Sequence, residues 1–328
     1  MPFKIFITRP IPDQGIKMLK DKKYIVSVYP KNEIIPRKEL LKGVKGIDAL
    51  LPILTDKIDI EVLDTAGPQL KIVANYAIGT DNIDLEACKK RKVMVTNAPG
   101  PEIVQAVAEY TIALILTLAH RVVEADKFTR AGKYQGWGPQ LLLGTDVYGK
   151  TLGVVGLGRI GFAVTERAVK GFGMNIIYND PKPSPDFEKK YGARYADLAT
   201  LLKQSDFVSL HVPLLPSTRH LISTKQFTQM KPSAFLINTA RGPIVDEKAL
   251  LLALKNKKIA GAGIDVFECE PSIDCDLSDH LELKKFDNVI LTPHIASATV
   301  ETRQAMGRTA AANIIAALSG QTPPNLVK

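Results

Sequence analysis

The sequence predicts an α/β protein of two domains, each built on a parallel sheet, and three observations carry that reading. Short apolar runs alternate with amphipathic stretches along most of the chain, the pattern of strands joined by crossover helices. The alternation breaks once, at "APGPE" (Ala98–Glu102), and then restarts. The 328 residues also exceed the usual length of a single hydrophobic core.

In the first hundred residues the strand candidates are "KIFIT" (Lys4–Thr8), "IVSVY" (Ile25–Tyr29), "DALLPI" (Asp48–Ile53), "KIVAN" (Lys71–Asn75) and "VMVTN" (Val93–Asn97). Helices fit between them at Asp13–Leu19, Pro36–Leu41, Ile58–Ala66 and Leu85–Arg91. A long apolar helix follows "APGPE", from Ile103 to about Arg121. Its most apolar part, Tyr110–His120, is too short to span a bilayer and reads as a buried helix. The second alternation runs through "KTLGVVGLG", "NIIYND", "DFVSLHV", "AFLINTA", "AGAGIDVF" and "NVILTPH". An Ala-rich helix from about Val300 to Leu318 closes the chain and stops at "SGQTPP", where Gly and Pro end helices. That helix comes after the second unit, so its return to the first makes the first domain discontinuous. The expected division is 1–98 plus 295–328 for one domain and 99–294 for the other, with the active site in a cleft between them.

Hydrophobic residues at 45% and charged residues at 23% describe an ordinary globular composition. The start, "MPFKIFITRP", lacks the apolar core of a signal peptide, so a cytoplasmic protein without a membrane partner is expected. Cys88, Cys269 and Cys275 cannot all pair, and reduced thiols are expected. The formal charge is +9, yet Lys and Arg are scattered among acids and form no stripe with aromatics. That argues against nucleic acid and for attraction of small anionic ligands.

"TLGVVGLGRIGFAV" carries Gly156-x-Gly158-x-x-Gly161 between a buried strand and an amphipathic helix. In that setting Gly156 allows the tight turn, Gly158 lets the backbone approach a pyrophosphate, and Gly161 permits close helix packing. The helix N-terminus then offers free N–H groups to the phosphates. The next strand ends at Asp180, where an acid is expected to accept hydrogen bonds from both ribose hydroxyls. A carboxylate there repels a 2′-phosphate, so NAD is favoured over NADP, with Lys182 softening the preference. This half of the chain is therefore Rossmann-like.

Ligands of such sheets bind at the carboxyl ends of the strands. "FLINTARG" delivers Thr239 and Arg241 there, "GIDVFECEP" delivers Asp265, Glu268 and Glu270, and "VILTPH" delivers His294. Taken singly, the plainer readings prevail: Arg241 as a surface salt bridge, Glu270 as a solvated loop acid, His294 as a capping histidine. Beside a nucleotide motif they suggest hydride transfer to a carbonyl. Such chemistry needs an acid for the oxygen, a cation for an anionic substrate and a group that keeps the acid charged.

At these residues the chain resembles the D-isomer-specific 2-hydroxyacid dehydrogenases, over essentially its whole length. The matching segments are "VVGLGRIG", "LHVPLLPSTRHLI", "INTARGPIVDEKAL", "GAGIDVFECEP" and "NVILTPHIASAT". "LLPILTDKID" and "VANYAIGTDNID" look most like the glyoxylate/hydroxypyruvate reductase branch. The resemblance implies two Rossmann-like/flavodoxin-like domains. It also implies reversible reduction of a small 2-oxoacid, glyoxylate or hydroxypyruvate, to glycolate or D-glycerate. By the resemblance His294 is the proton donor and acceptor. Glu270 orients the imidazole and raises its proton affinity, and Arg241 binds the substrate carboxylate or polarises its carbonyl. Backbone N–H groups of Ala77, Ile78 and Gly79 receive the carboxylate. Arg159 and Ile160 meet the pyrophosphate; Val212, Pro213 and Thr218 line the adenosine side; Thr239, Ala240 and Asp265 face the nicotinamide ribose or amide. The family is usually dimeric, with the helix after "PGPE" at the interface, and the resemblance makes Trp137 a specificity candidate acting across a homodimer.

Two departures stand out. "YNDPKP" lacks the arginine that many NADP-preferring reductases of the branch carry there, which supports NAD. "SIDCDLSDHLEL" (Ser272–Leu283) is long and acidic; its Cys275 and His280, with Cys269, lack paired zinc spacing, so a surface loop and no metal are expected. Two other readings share the fold: an NAD-sensing corepressor-type binding protein, and a phosphite dehydrogenase. A formate enzyme usually carries glutamine where Glu270 stands. The chain's lack of long tails favours an enzyme, and pocket size near Leu51–Leu54 decides among the 2-oxoacids.

Overall fold

The computed structural model describes residues 2–270 and 282–327. They divide into two compact units, 2–103 with 298–327 and 104–270 with 282–297.

The first unit contains β1 (Lys4–Ile7), α1 (Asp13–Asp21), β2 (Ile25–Val28), α2 (Arg37–Gly43), β3 (Ala49–Leu51), α3 (Ile60–Ala66), β4 (Ile72–Ala74), α4 (Leu85–Lys90) and β5 (Met94–Thr96). Its sheet is wholly parallel in the order β2-β1-β3-β4-β5, the flavodoxin-like order. Asp59 and Asp84 start α3 and α4 by accepting from the Val62 and Ala87 amides, which satisfies donors the helices cannot. The C-terminal helix (Val300–Leu318) belongs to this unit. It touches α1 backbone to backbone, because a Cβ on Gly15 would lie 2.4 Å from the Gly307 carbonyl oxygen. The Asn313 side chain donates to the Asn97 carbonyl at 3.0 Å, and the Val327 amide to Val95 at 2.8 Å.

The second unit takes most of α5 (Pro101–Ala119), then α6 (Val122–Arg130), β6 (Thr151–Val155), α7 (Arg159–Phe172), β7 (Asn175–Asn179), α8 (Pro185–Tyr191), β8 (Arg194–Tyr195) and α9 (Leu198–Gln204). It continues with β9 (Phe207–Leu210), α10 (Thr224–Gln229), β10 (Phe235–Asn238), α11 (Glu247–Lys255), β11 (Gly261–Ile264) and β12 (Val289–Leu291). The parallel sheet has the order β12-β11-β10-β9-β6-β7-β8. Counted from β6 this is the doubly wound order, and it reverses between β6 and β9, the switch point where such sheets bind ligands. Alternate residues feed opposite cores: Leu152, Val154, Ile176 and Tyr178 join one, Val155 and Ile177 the other. Burial on both faces explains why these strands read as continuous apolar runs.

The crossings between units fall later than the expected 98/99 and 294/295. The first turn of α5 stays with the first unit, because the Glu102 carbonyl accepts from Thr302 and its carboxylate pairs with Arg308. Residues 295–297 stay with the second, tied by amides to Asp265. Helix α5 starts at Pro101, a residue suited to a first turn, and ends before Arg121, whose φ of +53° turns the chain into the unanticipated α6. At 19 residues α5 is longer than its apolar stretch and, by length and composition, long enough to cross a membrane. Its Ile112, Leu114, Ile115 and Leu118 are buried in the core of the second unit. Strand β8 has two exposed residues and no apolar run to announce it. Cys269 is disulfide-bonded and Cys88 is free, which corrects the expectation of three reduced thiols: an odd count forbids complete pairing, not one pair. Residues 271–281, which hold Cys275, His280 and most of the stretch expected as a surface loop, lie outside the described residues.

Candidate active site

The glycine loop leaves β6 at the switch point. Gly156 has φ of +96°, and a Cβ there would lie 2.8 Å from the His211 carbonyl carbon at the end of β9. Gly161 is equally constrained, with a Cβ 2.2 Å from the Gly156 oxygen. Gly158 differs: it is exposed, caps α7, and would place a Cβ in open space. Two glycines thus fold the loop and the third leaves a clear approach to the α7 N-terminus, a shape that fits a dinucleotide pyrophosphate. Arg159 and Ile160 open that helix, with Arg159 exposed. The Leu157 amide donates to Asp180 Oδ1 at 2.8 Å, so the acid after β7 is tied to the glycine loop. On the facing strand end burial pushes the His211 imidazole down to about 4, so it is neutral where it meets Ser209 Oγ at 2.9 Å. Val212 packs beside Gly156, and the Thr218 hydroxyl closes its own turn onto the Pro213 carbonyl at 2.6 Å.

The next strand end carries Thr239, Ala240 and Arg241. Asn238, 1% exposed, clamps this turn: its Nδ2 donates to the Arg241 carbonyl at 2.9 Å and its Oδ1 accepts from the Ala240 amide at 3.1 Å. Thr239 Oγ1 lies 3.0 Å from Thr111 Oγ1 on α5. Thr111 spends its proton on the Val107 carbonyl, so Thr239 is the donor of that pair. Arg241 Nη1 donates to the Ala240 carbonyl at 2.8 Å. Gly242 is needed for space rather than for backbone freedom. It sits so close to the following loop that a Cβ would fall 1.8 Å from the Phe267 carbonyl oxygen.

His294 and Glu270 meet as the sequence suggested. Nδ1 of His294 is 2.6 Å from Glu270 Oε2, both side chains about one-third exposed. With Nδ1 so engaged, Nε2 is the nitrogen available to a substrate. The backbone of His294 is left-handed, φ +55°, which costs a residue with a Cβ roughly 1–2 kcal/mol. Asp265 supports that conformation. Its carbonyl accepts the His294 amide at 2.8 Å, and its carboxylate accepts the Ile295 and Ala296 amides at 2.9 and 2.8 Å and the Thr292 hydroxyl at 2.6 Å. Burial pulls the Asp265 carboxyl up, and these donors oppose it. Asp265 therefore builds the histidine turn, a role beyond the nicotinamide contact expected of it.

In the first unit the segment after β4 presents a different device. The carbonyls of Ala77, Ile78 and Gly79 each accept at 2.8 Å, from the Ala98 amide, Asn97 Nδ2 and Asn75 Nδ2. Their own amides donate to no acceptor among the described residues. Three neighbouring N–H groups are left unspent here while their carbonyls are tied back. Asn75 is itself held by Asn82 at 2.9 Å, and both are buried. Sequence reasoning missed Asn75, Asn82, Asn97, Asn238 and Thr111; for Asn75, Asn97 and Asn238 the available signal was asparagine at the carboxyl end of an apolar strand, where a buried amide must find partners, and for Asn82 and Thr111 there was none. Trp137, 84% exposed, stands in the loop after α6 with exposed Leu143 and Tyr148.

Residues 112–296 match the model of the D-isomer specific 2-hydroxyacid dehydrogenase NAD binding domain. A glyoxylate reductase from Thermococcus litoralis is 50% identical, with 99% of this chain and 96% of that protein covered. Among solved structures, a protein from Thermus thermophilus is 41% identical with a TM-score of 0.91, covering 99% of this chain and 100% of its own. A glyoxylate reductase from Paecilomyes thermophila is 29% identical with a TM-score of 0.84, covering 99% and 98%.

Proposed function

The chain belongs to the D-isomer-specific 2-hydroxyacid dehydrogenase family, and from that premise we propose that it reduces glyoxylate to glycolate, with NADH preferred over NADPH. It is a nicotinamide-dependent 2-hydroxyacid dehydrogenase, and the observation that carries the site assignment is the 2.6 Å contact between His294 Nδ1 and Glu270. The bound nicotinamide supplies the hydride for the carbonyl carbon. In the reducing direction the imidazolium of His294 gives its Nε2 proton to the carbonyl oxygen, and the ring takes it back in the reverse reaction. Glu270, in contact with Nδ1, fixes the plane of the ring. The Ala77–Gly79 amides take the substrate carboxylate, and the Arg241 guanidinium polarises the carbonyl. Hydroxypyruvate is a second substrate on the same chemistry.

The preference for NADH rests on Asp180, whose carboxylate suits ribose hydroxyls and repels a phosphate. We assign the segment between α6 and β6, with its exposed Trp137, Leu143 and Tyr148, to contact with a second copy of the chain, giving a homodimer.

The test is spectrophotometric: NADH loss with glyoxylate, hydroxypyruvate and pyruvate, repeated with NADPH and with phosphite plus NAD. Glyoxylate-dependent oxidation is expected, and His294→Ala should lower kcat by about 10²–10⁴, the contribution of a positioned general acid, while NADH binding survives. No oxidation with any 2-oxoacid, or unchanged turnover in His294→Ala, would overturn the reading.

A further inference from the structure

His220 lies outside the acid–base pair, yet it touches both loops that carry the site. Its backbone amide donates to the Pro243 carbonyl at 2.8 Å, two residues beyond Arg241. Its ring Nε2 lies 2.5 Å from Glu268 Oε1, two residues before Glu270. The same Glu268 is held from its other side: Oε2 accepts the Glu247 amide at 3.3 Å, and the Glu268 amide donates to Glu247 Oε1 at 2.5 Å. Glu247 begins α11, whose cap Asp246 accepts from Ser223 Oγ at 2.8 Å. The Ile222 amide donates to Ile244, and the Asp246 amide donates back to Ile222. Three segments are thus laced together, and the contact of Gly242 with the Phe267 carbonyl leaves no slack between two of them. His220 also adopts φ of +50°, a conformation that costs a residue with a Cβ and is retained here by bonds on both its backbone and its ring.

We propose that His220 and Glu268 are positioning residues of the reaction: their pair staples the Glu270 loop to the Arg241 turn and so sets the direction from which the Glu270 carboxylate meets His294. The inference rests on the reading of His294 and Glu270 as the acid–base pair. Groups that must be placed for transfer lose rate steeply when displaced, with a shift of about 1 Å able to cost 10²-fold. Supporting hydrogen bonds around a reacting group act through that placement.

The test compares purified His220→Ala, His220→Gln, Glu268→Ala, Glu268→Gln and the His220→Ala/Glu268→Ala double variant with the parent and with His294→Ala, using glyoxylate and NADH. The pair is partly exposed, so folded variants are expected, and circular dichroism and thermal melting check each one. His220→Ala should lower kcat about tenfold with KM for NADH unchanged, as expected when a group that must be placed for transfer loses its alignment. His220→Gln, which keeps a donor, should recover most of the rate. The double variant should lose no more than the worse single one, as expected of residues acting as a unit. Parental kcat in His220→Ala, or fully additive losses in the double variant, would sink the proposal. An active His294→Ala would instead sink the acid–base reading beneath it.

Discussion

Gly242→Ala isolates how closely the Arg241 turn and the segment from Phe267 to Glu270 must approach. Gly242 lies in a short 3-10 turn just after Arg241, in a conformation open to alanine, so the substitution adds only one methyl group. That methyl would sit 1.8 Å from the Phe267 carbonyl oxygen and 2.5 Å from the Glu268 amide nitrogen. Real Cβ contacts essentially never fall under 3.0 Å, so the loops must part by at least 3.0 − 1.8 = 1.2 Å at this point. Both obstacles are backbone, which cannot rotate away as a side chain does. The parting moves Arg241 relative to Glu270, and with it the cation relative to the acid. A displacement of about 1 Å can cost 10²-fold, so kcat for glyoxylate should fall about 100-fold while the glycine loop still binds NADH. The assay is initial-rate NADH consumption, with cofactor binding followed by quenching of protein fluorescence and folding by far-ultraviolet circular dichroism. A folded Gly242→Ala enzyme with kcat within about threefold of the parent would refute the reasoning, because the required displacement would then be harmless.

Asp180→Ala should raise KM for NADH and reduce the discrimination against NADPH, measured as the ratio of kcat/KM values; an unchanged ratio would mean that the acid does not read the ribose. Asn97→Ala removes the 2.8 Å bond to the Ile78 carbonyl and should raise KM for glyoxylate up to about tenfold, the size of one hydrogen bond, with KM for NADH unaffected. Leu143→Glu puts a charge on an exposed apolar residue of the segment between α6 and β6 and should shift the protein toward monomer in sedimentation equilibrium; a parental mass would place the second copy elsewhere.

Much of the architecture was legible because its signals are local. A strand buried on both faces must be apolar throughout, so β6, β7, β9 and β10 announce themselves, and Gly156 and Gly161 mark a turn too tight for a Cβ. The pairing of His294 with Glu270 was also anticipated, because both stand in segments whose order and wording are specific. Strand β8 was not, since two exposed residues on an edge carry no pattern, and α6 was not, since its start depends on the left-handed backbone of Arg121.

What the sequence by itself determined was the list of chemical groups and the strands that deliver them: a phosphate loop, an acid beside it, a cation, a carboxylate and a histidine. Only the tertiary structure decided how those groups are held. Asp265 reaches amides about thirty residues away to support the strained His294, His220 finds Glu268 across 48 residues, and Asn75 and Asn97 tie back the carbonyls behind three unspent amides. The physical reason is that a side chain's chemistry is a property of its own atoms. Its hydrogen-bond partner is set by the packing of elements distant in the chain, and the cost of leaving a buried polar group unpaired makes that partner part of the site.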